Sequence, residues 1–400
     1  MFRKFWSLLL SLFLTVSISF AVISVARIVI NSFDKWSDTE PVELTEIGSP
    51  YKFDYDGLTS IQKHTYNEIL KNIYSMPEKI EIPETDRDGL EEVFNALLAD
   101  NPDLYFLKGI QSIENYGFRT FCRMKYSMTK EEYREAQAKI DEVCRKVMSG
   151  LTDPDNQWQT ELEIHDYIVE NCEYEFVKEE GYKYSTAYSA LVTGVTACEG
   201  YSKAAKMLFD LVGIESMTVG GESVDSSGET VGHMWNIVKI DGEYYHLDCT
   251  WDDPVPSEDS SDVELMNELL LNMKSYDFFN LSDEMIKETH VPDGEYVECT
   301  ATQGNYYIKT EKYYDLYNGE TEEKILRHVS DALPDGEGCV MFVFGNKEAY
   351  EKAVMELGTK GTLNRFFERK GKETGKKFVK NNLWHNPEEL TVTVVIEYNF

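Results

Sequence analysis

Three residues have the types and spacing for nucleophilic acyl chemistry: Cys198, His233 and Asp248. The stretch from Thr193 to Gly213 reads as a loop that turns helical near Cys198 and stops at a C-cap glycine. Tyr201, Ala204, Ala205, Leu208 and Val212 recur at helical spacing and give that helix a buried face. Cys198 then falls in the first turn, where unpaired backbone N–H groups and the helix dipole favour an anion. Such a placement lowers a thiol's pKa and raises its thiolate fraction. Downstream, His233 to Ile240 and Glu243 to Trp251 are strand-like runs separated by Asp241-Gly242, a strong hairpin signal. A two-residue turn sets Ile240 opposite Glu243 and Trp235 opposite Asp248. His233 and Asp248 become diagonal neighbours on one face, roughly 7 to 8 Å apart at the backbone. A carboxylate there holds the imidazole's tautomer while the other ring nitrogen faces the thiol.

A metal centre built from His233, His246 and Asp248 is the rival reading of the same face. The register argues against it, because His246 pairs with Ile237, about 13 Å along the strand from His233 at ~3.3 Å per residue. No metal and no cofactor is expected. Trp235 and Trp251 flank the reactive residues and are expected to wall a cleft, and Tyr184 and Tyr188 are candidates for a second oxyanion donor. His165, on the apolar side of its helix, reads as a hydrogen-bonded core histidine rather than a site residue.

The runs Ala197-Cys198-Glu199-Gly200-Tyr201, Gly232-His233-Met234-Trp235-Asn236 and Leu247-Asp248-Cys249-Thr250-Trp251-Asp252-Asp253-Pro254 resemble the transglutaminase-like superfamily of papain-like thiol enzymes. The match is tight from about Leu162 to Pro254 and looser from Tyr51 to His290. The resemblance implies a catalytic triad of Cys198, His233 and Asp248 and an α+β fold, in which the helix bearing the cysteine packs on an antiparallel sheet bearing the histidine and aspartate. Members of the family that cross-link proteins carry tryptophan after the nucleophile, whereas this chain has Glu199-Gly200. The resemblance is therefore closer to the microbial branch, where members hydrolyse rather than cross-link. It implies a cysteine acyl-enzyme catalyst acting on peptide or glutamine amides, as a protease, amidase or transglutaminase-type acyltransferase. The alternative is an inert binding or scaffold protein that keeps the fold.

The rest of the chain sets the context. Its formal charge of -33 repels phosphate backbones and excludes nucleic acid as a partner, while attracting basic peptides or cationic polymers. The expected partner is a peptide or protein substrate, including one in the cell wall. After Arg3 and Lys4, the 22 residues from Phe5 to Ala26 carry no charge, enough to span a bilayer as a helix. They read as an uncleaved membrane anchor, with Ser24-Val25-Ala26 as the cleavage site of the competing signal-peptide reading; either way the bulk lies outside the cytoplasm. Seven cysteines show no C-x-x-C pair, which argues against a zinc ribbon or redox motif.

The expected organisation is an anchor over 1–30, a polar tether over 31–52, a helical N-terminal region over 53–150, the catalytic domain over 151–295, and an α+β accessory module over 301–400. In the N-terminal region, helices are expected over Leu58–Tyr74 and around Leu90–Leu98, a strand over Phe118–Tyr126, and a helix opened by a Thr129/Glu132 capping box. The acidic segment from Asp252 to Glu264 lacks the glycine and spacing of a calcium loop and reads as solvated. In the last module, Asn305–Thr310 reads as a strand, Glu322–Val329 as a helix, Cys339–Gly345 as a buried strand, Lys347–Leu357 as a helix and Leu390–Tyr398 as β-rich.

Overall fold

In a computed structural model, the described residues are 46–117, 119–175, 185–224, 228–253, 274–333, 338–378, 383–396 and 398–399. The expected anchor, most of the tether, Tyr184 and most of the acidic segment lie outside them. Among the described residues no helix is long and apolar enough to cross a membrane. The chain divides into two compact units, Met1–Val143 and Cys144–Phe400.

The first unit has the expected helices, at Ser60–Ile73 and Arg87–Asp100, and the helix Lys130–Gly150 begins in it. The Thr129 capping box forms: the Thr129 N–H donates to Glu132 Oε2 at 2.7 Å, and the Glu132 N–H donates to Thr129 Oγ1 at 3.2 Å. The region is more than helical. Lys79–Ile82, Thr120–Tyr126 and Leu107–Asn115 form a three-stranded antiparallel sheet with Thr120–Tyr126 in the centre. The strand Leu107–Asn115 escapes a pattern reading because its pairing slips between Leu107 and Gly109 and again between Ile110 and Ser112. Two such irregularities put Leu107, Ile110 and Ile113 at a spacing of three, which breaks the period of two that marks a strand.

The second unit carries the α+β core. Helix α1 (Gln157–Asn171) and helix α2 (Cys198–Val212) pack together and against an antiparallel sheet. The sheet's strands are β1 (Ser216–Val224), β2 (Thr230–Ile240), β3 (Glu243–Leu247), β4 (Phe279–Leu281) and β5 (His290–Pro292), in the spatial order β5-β1-β2-β3-β4. The β2–β3 hairpin has the register that Asp241-Gly242 imposes: Ile240 faces Glu243, Ile237 faces His246 and Asn236 faces Leu247. Asp241 and Gly242 both take positive φ, 53° and 92°, as a two-residue primed turn requires. His165 is fully buried on α1 and bonds Asp166 Oδ1 and Asp252 Oδ2, each at 3.2 Å, as expected of a core histidine. Burial opposes its charge, but the two carboxylates prevail and push its pKa up to about 9.

The last hundred residues build their own core around Phe342, Phe344, Ile325, Val329, Val392 and Val394. Its sheet runs Tyr313–Tyr314, Gly338–Phe344, Thr391–Ile396, Leu383–Asn386 in spatial order, with helices at Gly319–Ala332, Lys347–Ala353 and Thr362–Thr374. One expectation fails here. Tyr306–Lys309, read as strand, is a turn of helix, because Asn305 accepts from the Tyr307 and Ile308 N–H groups with its side chain and caps it. That turn is fixed to the α+β core. Tyr306 stacks on Tyr276 at 3.7 Å, the Trp158 indole N–H donates to Gly304 O at 2.7 Å, and Asn305 Nδ2 donates to Phe279 O at 3.1 Å.

Beside this junction Glu161 is fully buried on α1. Its Oε2 accepts from Asn280 Nδ2 at 2.8 Å, while Glu161 Oε1 and Asn280 Oδ1 have no partner among the described residues. Burial pushes the Glu161 pKa up to about 8 against the bond from Asn280. The folded state therefore keeps a proton that the unfolded chain loses near pH 4.3, so Glu161 makes stability fall with rising pH from there to about 8. Glu161→Gln is expected to flatten that slope in urea unfolding measured across this range. An unchanged slope would remove Glu161 as its source.

Candidate active site

Ala197 is the extended N-cap of α2 and Cys198 its first helical residue, with left-handed Gly213 (φ 74°) closing the other end. Of the face expected to be buried, Tyr201, Ala204, Ala205 and Leu208 lack exposure, while Val212, in the last turn, is only half-buried. Gly200 is required by closeness, since a Cβ there would lie 2.0 Å from Thr196 Oγ1. This contact seats the first turn of α2 on the residues that lead into it. Two side chains then lock α2 to β2. Ser202 Oγ lies 2.8 Å from Met234 O, and Asn236 Nδ2 donates to Ser202 O at 3.0 Å and to Met217 O at 3.3 Å. Neither residue is recognisable from its type, because both act through backbone carbonyls of elements remote in sequence.

His233 sits on β2 opposite Gly221 of β1. Its Nε2 meets Asp248 Oδ2 at 2.5 Å, and the Cys198 side chain is a hydrogen-bonding and Coulombic neighbour of the same ring. With Nε2 committed to the carboxylate, Nδ1 is the nitrogen left for the thiol. Asp248 lies one residue past the end of β3, its N–H donating to Phe278 O at 3.1 Å. Its Oδ1 accepts the N–H groups of Thr250 at 2.9 Å and Trp251 at 3.3 Å. Its Oδ2 takes His233 and also His290 Nε2, at 3.0 Å. Burial works against both charges, yet Asp248 pushes the His233 pKa up to about 10, and His233 holds the Asp248 carboxyl well below the usual carboxylate range. An imidazolium–carboxylate pair results.

The other singled-out residues fall differently. Trp251 is half-buried, with its ring 5.8 Å from His233 and 4.8 Å from His290. Trp235 corrects an expectation: it is fully buried, stacks on His233 at 6.0 Å and gives its indole N–H to His246 Nδ1 at 3.0 Å. It is a floor beneath the ring, with no free donor for an oxyanion and no surface for a cleft. Tyr188 is half-buried at the head of the π-turn Ser189–Thr193. Tyr174, which the sequence did not single out, is an electrostatic neighbour of both Cys198 and Asp248; burial, followed by those two groups, raises its phenol pKa.

Among the described residues, two groups of side chains converge closely enough to hold a cation. They are His233, Asp248 and His290, and His246, Asp283 and Cys299, with ligand atoms within 4.8 Å in each. His246 therefore takes no part in the first group; it bonds Asp283 Oδ1 at 2.8 Å. Both groups are knit by hydrogen bonds, since Asp283 Oδ2 also accepts the Cys299 N–H at 3.0 Å. Cys122, Cys144, Cys172, Cys249 and Cys299 are buried, and Cys198 and Cys339 are half-exposed.

His233 contributes stability that is fully present below its unfolded pKa of ~6.5 and is lost as pH rises through about 10. Asp248→Asn removes the largest influence raising it. In an NMR titration the His233 inflection is expected to move down toward the unperturbed value in that variant. An inflection that stays put would show that Asp248 is not what holds the proton.

Residues 141–249 match the family model described as the transglutaminase-like superfamily. Comparison with curated proteins gives no match. Among solved structures, the chain is similar to one described as a TGase (14% identity, 45% of this chain, 52% of that chain, TM-score 0.27). It is also similar to a proposed cysteine protease from Cytophaga hutchinsonii (13%, 36% and 62%, 0.24) and a proposed protease from Parabacteroides distasonis (12%, 35% and 36%, 0.22). The chain thus spans about half the length of the first of these structures. The stretch 141–249, with Cys198 on a helix and His233 and Asp248 at the facing sheet, is thus similar to a transglutaminase-like core.

Proposed function

We propose that this protein is a cysteine acyl-enzyme catalyst acting on peptide or glutamine amides. The observation that carries the reading is the His233–Asp248 bond at 2.5 Å, formed by a ring whose other neighbour is Cys198 at the mouth of α2. A protonated imidazole beside a thiol at a helix N-terminus is the arrangement that generates a thiolate nucleophile.

In the proposed sequence Cys198 Sγ attacks the amide carbon and the carbonyl π pair moves to oxygen, where the Cys198 backbone N–H, in the first helical turn, stabilises the charge. Collapse breaks the C–N bond as His233 gives its Nδ1 proton to the departing amine, leaving a thioester on Cys198. His233, now neutral, takes a proton from water or a second amine as it attacks the thioester. The thiolate leaves and the imidazolium is restored. Asp248 holds the ring throughout and stays ionised. Glu199-Gly200, in place of the tryptophan of cross-linking enzymes, supports hydrolysis over transfer. The uncharged run Phe5–Ala26 supports a membrane-tethered or secreted location.

The test is Cys198→Ala on a library of glutamine-containing and cell-wall peptides, with circular dichroism confirming the fold. Loss of a nucleophile is expected to lower turnover at least ~1,000-fold, and mass spectrometry of the wild type should trap an acyl adduct on Cys198. Turnover that survives the substitution would sink the mechanism.

A further inference from the structure

We infer that His290 is a positioning residue for the Asp248–His233 pair, giving its Nε2–H to the same carboxylate oxygen that receives His233. This rests on the acyl-enzyme reading above. His290 opens the edge strand β5, opposite Ser223, and is buried. An ionised carboxylate is only an acceptor, so at 3.0 Å His290 Nε2 must carry the proton. Its Nδ1 lies 2.9 Å from Thr289 Oγ1, which in turn lies 3.1 Å from Ile286 O, so the ring is held from its far side as well. Aromatic rings enclose it: Trp251 at 4.8 Å, Trp235 at 5.0 Å, and Phe278 and His233 at 5.3 Å.

The need for such a residue follows from how Asp248 is bound. Two backbone N–H groups fix Oδ1, but among the described residues Oδ2 has only His233 and His290. His233 is the group to be oriented, and it cannot orient its own acceptor. His290 supplies the independent third point that fixes the carboxylate plane, so that the short bond to His233 sets the imidazole instead of following it. Gly221, beside this contact on β1, is what allows it: a Cβ there would stand 2.3 Å from Val291 O and 2.9 Å from Trp235 Cη2, forcing β5 and its histidine outward.

The experiment uses the full chain with His290→Phe, which keeps an aromatic ring and loses the donor, and His290→Gln, which restores an N–H. His290→Leu replaces the first if that variant does not fold. The readouts are the downfield proton of the His233–Asp248 bond in NMR, assigned by its loss in His233→Gln, and kcat against KM. In His290→Phe the proton signal is expected to shift or exchange away, and kcat to fall roughly 10- to 100-fold with KM little changed, because the residue acts through Asp248 and a small misplacement costs that much. His290→Gln should recover both. An unchanged proton signal in a folded His290→Phe would overturn the inference, and so would a His290→Gln variant no better than His290→Phe, which would reduce the role to packing. Zinc binding lost in His290→Phe with the proton signal intact would also overturn it, by assigning the residue to a metal site. Turnover persisting in Cys198→Ala while the proton signal still depends on His290 would instead fail the acyl-enzyme reading and leave the positioning contact standing.

Discussion

A buried carboxylate held by four donors is the constraint around which the α+β core is built. Asp248 has lost nearly all of its water, and an unpaired charge in that environment would cost several kcal/mol. The donors come from three pieces of chain: the turn after β3 supplies two N–H groups, β2 supplies His233 and β5 supplies His290. The carboxylate can be satisfied only when these segments have reached their native places, so the charge that orients the imidazole also reports that the sheet is assembled.

The second requirement is that α2 meet β2 at a fixed height, because the thiol has to lie against a ring that the sheet controls. Apolar packing of Tyr201, Ala204, Ala205 and Leu208 holds the helix against the sheet but has little preference along the axis. Directional bonds provide it. Ser202 and Asn236 each bridge backbone of α2 to backbone of the sheet, within one turn of Cys198 and three residues of His233. The close seat of Gly200 on Thr196 fixes the same turn from its other side.

What could be read from the sequence divides along the same line. The helix start at Cys198, the stop at Gly213 and the hairpin register at Asp241-Gly242 are local rules, and each appears in the structure as expected. Residues that work through non-local pairing carried no signal. His290 follows a stretch of more than forty residues after Asp248, and only the order β5-β1-β2-β3 brings it back to the carboxylate. Trp235 was visible as an aromatic neighbour of His233, but whether it floors the ring or walls a cleft depends on which side of the sheet α2 covers. The strand Leu107–Asn115 was hidden for a different reason, its bulges having erased the period that would mark it.

The layering beneath His233 gives these separate contacts a common consequence. Trp235 lies under the imidazole at an interplanar angle of 16°, and its indole N–H is held by His246, which is held in turn by Asp283. His246 Nδ1 must accept from Trp235, so its proton resides on Nε2 and points at the Asp283 carboxylate. The floor is therefore as fixed as the carboxylate that grips the ring's edge. Tilt of the imidazole is limited by the indole plane, and rotation within that plane by the bond to Asp248.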